Sequence, residues 1–176
     1  MRATDVLTEL ATAPAGPLRD RYTAFVAEQG DAALWREGGS EHLTGSCFVL
    51  SPDHAHVLLC LHRKGRFWVQ FGGHLEPGDR SLADAAQREA REESGIADLH
   101  LASERIVDLD RHELHGGFSC AAHWDVGLVA IAPLSVDLRV SDESTDVRWF
   151  PVDALPDPLP DGFPARLAGV LAATAR

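Results

Sequence analysis

The stretch from 81 to 95 restricts this chain more than any other. Ser81 is a good helix N-cap with Asp84 three residues on, and Gly95 suits the position just past a helix end, so the spacing predicts a helix over 82–94. At about 100° per residue, Leu82, Ala85, Ala86 and Ile96 share one arc, the stripe expected to face a core. Glu89 and Glu93 fall inside that arc, and Glu92 lies at its edge. Carboxylates at these spacings repel one another, and a buried unpaired carboxylate is either costly or protonated. A polyvalent cation removes the conflict, and magnesium favours such hard oxygen ligands. Taken alone, the helix has a second reading: a solvated face on which Arg88 and Arg91 pair the glutamates.

The preceding loop weighs against that second reading. Residues 72–79, Gly-Gly-His-Leu-Glu-Pro-Gly-Asp, hold three glycines and a proline. Glycines let a backbone approach a ligand closely, so loop and helix together make a small pocket rich in oxygen atoms.

The rest of the chain supplies a fold around this unit. Its 176 residues, 45% hydrophobic and 24% charged, suit one globular domain with a real core. Residues 1–36 read as helical, with Leu18, Tyr22, Phe25, Val26 and Gln29 at helical spacing, and Gly38-Gly39 is a break. Strands are expected at 44–50, 57–62, 67–70, 101–108, 124–131 and 147–150, a loop at 72–80 and a closing helix at 164–173. This mixture, without strict βαβ alternation, points to an α+β or mixed-sheet α/β/α domain. No apolar run reaches membrane-span length and the N-terminus lacks a signal-peptide core, so a soluble, cytoplasmic protein is expected. Cys47, Cys60 and Cys120 are far apart, fit no metal spacing and read as reduced thiols. The net charge of −11 disfavours a nucleic-acid polymer as partner and requires a metal or local basic patch if the ligand carries phosphates.

Residues 72–96, GGHLEPGDRSLADAAQREAREESGI, resemble the Nudix box. Gly73 and the run 88–96, Arg-Glu-Ala-Arg-Glu-Glu-Ser-Gly-Ile, match that pattern. Two departures stand out: Asp79 takes the place of the first box glutamate, and eight residues rather than seven separate it from Arg88. The resemblance implies an α/β/α sandwich with a mixed sheet over 39–176, preceded by a helical extension over 1–38 and closed by the C-terminal helix. It implies magnesium- or manganese-dependent hydrolysis of a nucleoside diphosphate linked to another moiety. It also implies that Glu92 and Glu93 hold the metal with the Gly72 carbonyl, that Glu89 is a further ligand or the base, and that Arg88 orients the carboxylates.

Other residues are candidates at such a site. Glu143, in the loop before the last strand, is a second candidate for the general base. His74 and Glu76 in the box loop, and Arg63 and Arg66 in the one local basic cluster with Lys64, are candidates for substrate contact. Trp68, Trp124 and Trp149 can stack on a base, although aromatic residues on strands usually fill cores. His112, His115 and His123 flank a glycine pair and offer a metal or phosphate site, in a segment that reads as a loop. The box leaves the substrate open, and a nucleotide-sensing domain without catalysis is the alternative, disfavoured by the full acidic set. A diphosphate isomerase on the same fold is disfavoured because the cysteine motif of that branch has no counterpart here. A homodimer through the N-terminal helices is a further possibility.

Overall fold

The computed structural model describes residues 1–114 and 120–175. Its centre is a seven-stranded mixed sheet with helices on both faces. Two helices, α1 (Ala3–Leu10) and α2 (Pro17–Gln29), come first, followed by short 3₁₀ turns at Gly30–Leu34 and Arg36–Gly38. Strands β1 (Glu41–Leu50), β2 (His56–His62), β3 (Trp68–Val69) and β4 (Phe71–His74) lead into α3 (Leu82–Ser94). Strands β5 (Asp108–Glu113), β6 (Ala122–Ile131) and β7 (Ser144–Pro151) follow, and α4 (Phe163–Thr174) closes the chain.

β1 is buried along nearly its whole length because both faces are covered. Its side chains alternate as strand geometry requires. Leu43, Cys47 and Val49 enter a core shared with α1, α2 and α3, while Phe48 and Leu50 enter a second core closed by Phe163, Leu167 and Val170 of α4. β6 runs parallel to β1 throughout, from Glu41↔Ala122 to Leu50↔Ile131. On its other edge β1 changes partner: its first half pairs antiparallel with β4 and its last residues with β2. The sheet opens where the partners change, and that opening positions the site.

Two expectations from the sequence are corrected. No strand occupies 101–108: Leu101 makes an isolated bridge to Ala130, residues 102–105 are exposed, and β5 begins only at Asp108. The Asp108–Glu113 segment was obscured because four of its six residues are charged, and two of those acids are paid for by Arg166 of α4, far away in sequence. The glycine loop is also shorter than expected, since Gly72, Gly73 and His74 lie in β4, opposite Ser46, Gly45 and Thr44. The N-terminal helices are present as expected and pack into the main core, where Val6, Leu10, Tyr22 and Val26 are fully buried.

Candidate active site

The helix α3 is capped as its sequence implies. The Ser81 side chain accepts from the Asp84 amide at 2.9 Å, and Gly95 takes the left-handed conformation at the C-terminus. The Asp84 carboxylate binds Arg80 instead of completing a capping box. The buried stripe is Leu82, Ala85, Ala86 and Ala90, and Glu93 lies within it at 4% exposure. Glu89 is nearly as enclosed, whereas the Glu92 side chain stays 60% exposed.

β4 meets these acids from the other side. The Gly72 amide donates to Glu93 Oε2 at 2.8 Å. At Gly73 a Cβ would stand 2.6 Å from Glu89 Oε1, so only glycine lets the carboxylate lie against the strand. Burial is the main force on both acids. It pushes the Glu93 carboxyl up to about 8, with the charges of Glu89, Glu143 and Glu92 adding and the Gly72 hydrogen bond opposing. It pushes Glu89 up to about 7 even though Arg88 opposes the shift.

Arg88 organises the acidic set. Its guanidinium donates to Glu89 at 3.0 Å, to Glu92 at 3.2 Å and to the His74 carbonyl at 3.0 Å. The other edge grips both oxygens of buried Asp79 at 3.0 Å. This gives the departures from the box pattern a physical meaning: the shorter acid reaches Arg88 from a loop one residue longer, and the Glu76 amide donates to Asp79 at 2.7 Å to hold it. The Glu76 side chain itself is mostly exposed and 4.0 Å from Arg88.

A cleft of ≈ 240 Å³ opens beside β4. Its floor is one face of the sheet. The register places the side chains of Ser46, Thr44 and His42 on β1, His74 on β4, and Asp125 and His123 on β6 on the face away from α3, since Gly45 on the other face packs against Ala86. Gln70, Phe67, Val69 and Lys64 line the walls, with Arg36, His112, Cys120 and Glu143. Asp125 is the floor's hub: Thr44, Ser46 and Gln70 donate to it at 2.9, 2.7 and 3.3 Å, and Arg166 reaches it at 3.2 Å. The Gln70 carbonyl oxygen is buried without a hydrogen-bond partner.

The other sequence candidates fall in distinct places. Glu143 lines the cleft and bears electrostatically on Glu89 and Glu93. Arg63 does not line it: its guanidinium binds the carbonyls of Asp142 and Ser144, each at 2.8 Å, and its amide donates to the Glu143 carbonyl. Arg66 stands outside the lining, in a turn at φ 58°, and it is Lys64 of that cluster that faces the cleft. None of the three tryptophans lines the cleft; Trp124 stacks on Phe25 and Trp68 meets Phe150 edge-on, so Phe67 is the aromatic wall. His112 is in β5, hydrogen-bonded to Asp110, and His115 lies outside the described residues. Missed in the sequence were Arg36, His42, Gln70, Cys120 and Asp125. One signal was present: His42, Thr44 and Ser46 alternate as polar residues in a strand that ends in the apolar run 47–50.

A NUDIX domain model matches residues 41–173. Solved structures agree in fold. A NUDIX-family hydrolase from Clostridium perfringens superposes with a TM-score of 0.62 at 21% identity, covering 76% of this chain and 97% of that one. An Ap4A hydrolase from C. elegans gives 0.61 at 19% identity, with the same coverages of 76% and 97%. An ADP-ribose pyrophosphatase from Streptococcus suis gives 0.57 at 22% identity, covering 76% and 92%. No curated protein sequence matches the chain. The chain belongs to the NUDIX family. It is an enzyme of the diphosphate hydrolase class.

Proposed function

We propose that this enzyme hydrolyses a nucleoside diphosphate linked to another moiety, with magnesium or manganese held by Glu89, Glu92, Glu93 and the Gly72 carbonyl. The observation that carries the reading is the burial of Glu93 and Glu89 against a glycine strand, beside a cleft with cationic and aromatic walls. The donor set fits a hard cation: it is all oxygen, and two of its carboxylates have lost their water. When bound, the ion neutralises diphosphate charge and acidifies the attacking water.

The chain's own residues do the rest. Lys64 and Arg36 draw the phosphates into the cleft against the overall negative charge. Phe67 and Val69 pack against the nucleoside, and the Gln70 carbonyl accepts a hydrogen bond from it. Glu143 takes the proton of the attacking water, because Glu89 is already held by Arg88 and packed on Gly73. Arg88 fixes the acids, and Arg63 fixes the loop that carries Glu143. No described helix is long and apolar enough to cross a membrane.

The test is a hydrolysis screen over nucleotide sugars, ADP-ribose, dinucleoside polyphosphates and nucleoside triphosphates. Turnover of at least one, abolished by EDTA and restored by magnesium or manganese, is expected. Tight nucleotide binding with no hydrolysis of any compound would favour a sensor instead.

A further inference from the structure

The cleft floor holds a second cluster, on the sheet face away from the α3 acids. His42 on β1, His74 on β4, His123 on β6 and Cys120 just before β6 each offer one atom, and these atoms all lie within 4.8 Å of one another. The strands enforce the grouping. His42 and His123 are opposite one another in the parallel ladder, and His74 sits across from Thr44, two residues along the same face. The three rings form a near-equilateral triangle, with centroids 5.1, 5.1 and 5.2 Å apart.

Ordinary packing leaves the imidazoles of this cluster short of partners. His42 is fully buried, and neither of its ring nitrogens makes a well-formed hydrogen bond, although the Gly39 backbone lies near one of them. Nε2 of His74 and Nε2 of His123 are likewise buried and unpartnered. Buried imidazole nitrogens without partners are costly, and one from each of three neighbouring rings points to a common ligand. An anion is a poor candidate, because burial favours the uncharged imidazole. Neutral imidazoles present lone pairs, which suit a cation. Three nitrogens and one sulfur are not a magnesium set; they are the donors that zinc prefers, in the closed four-ligand form typical of structural sites.

We propose that His42, His74, His123 and Cys120 bind a zinc ion that ties β1, β4 and β6 together at the floor of the cleft. Binding releases the Cys120 thiol proton, leaving the thiolate on the metal. With all four positions filled by protein, the ion braces the floor and leaves the chemistry to the α3 acids. His112 stays outside the set, its Nδ1 engaged with Asp110 at 2.9 Å.

Cobalt(II) is the probe. Metal-stripped full-length protein, kept in excess magnesium to occupy the carboxylates, is titrated with cobalt. The expected result is a tetrahedral cobalt spectrum with a thiolate charge-transfer band, displaced by zinc. The band must vanish in Cys120→Ser and persist in Glu93→Gln. His123→Asn, a second variant in case Cys120→Ser does not fold, must weaken cobalt binding at least tenfold. No cobalt uptake, uptake without the thiolate band, a band unchanged in Cys120→Ser, or binding lost in Glu93→Gln would each overturn the proposal.

Discussion

Glu93 and Glu89 have carboxyls raised from an ordinary value of 4.5 to about 8 and about 7, chiefly by burial. The sign of the consequence follows from linkage. A carboxyl raised in the folded state contributes stability that is fully present below 4.5 and is lost as pH rises through the folded value. In chelator-treated protein the stability should therefore fall between about pH 5 and pH 8. Denaturant midpoints across that range check this, with Glu93→Gln expected to flatten the fall; a midpoint that rises over the same range would contradict it. Glu143 differs in kind, because it lines the cleft without packing into the core. Glu143→Gln is expected to lower kcat by about 10²–10⁴-fold, the usual contribution of a general base. Magnesium affinity should change little, so a metal-binding isotherm beside the kinetics separates base from ligand.

At the scale of elements, α3 was fully legible in the sequence. Its cap, its apolar stripe and the intrusion of glutamates into that stripe are local facts, set by residues within a few turns of one another. The cleft floor was not legible, because it is built by register: Asp125, Gln70 and Cys120 come from separate segments that meet only when β1, β4 and β6 align. β5 was lost for the same reason, since its acids make sense only beside Arg166. Arg63 was likewise a candidate for substrate contact, and only the fold reveals that it staples the 142–144 loop. Arg63→Ala should loosen that loop and lower kcat by about 10–100-fold through misplacement of Glu143. The melting temperature should barely move. A raised KM with unchanged kcat would instead assign Arg63 to substrate binding.

For the whole molecule, the N-terminal helices are part of the core although the family match begins only at residue 41. Tyr22 donates to the Asp125 carbonyl at 2.7 Å and meets Trp124 edge-on, so α2 buttresses the strand that carries the hub of the cleft. Val6, Leu10, Tyr22, Val26 and Leu34 are fully buried. Burying each side chain of this kind is worth about 1.5–3 kcal/mol, which together rivals the about 5–15 kcal/mol that stabilises a typical domain. A chain starting at residue 39 is thus expected not to fold, as read by near-UV circular dichroism; a cooperative melt of that fragment would show the extension to be dispensable.

The molecule thus keeps buried carboxyl groups on α3 that its fold alone does not explain, and holding a metal for catalysis accounts for them. Turnover and the metal-free melting temperature of Glu93→Gln, measured on the same preparation, test this most directly. Glutamine keeps the shape and can still accept from the Gly72 amide, but it removes the charge. The expected result is turnover lowered by several orders of magnitude, with a metal-free melting temperature equal to or above that of the wild type. Wild-type turnover with a lowered melting temperature would contradict the account.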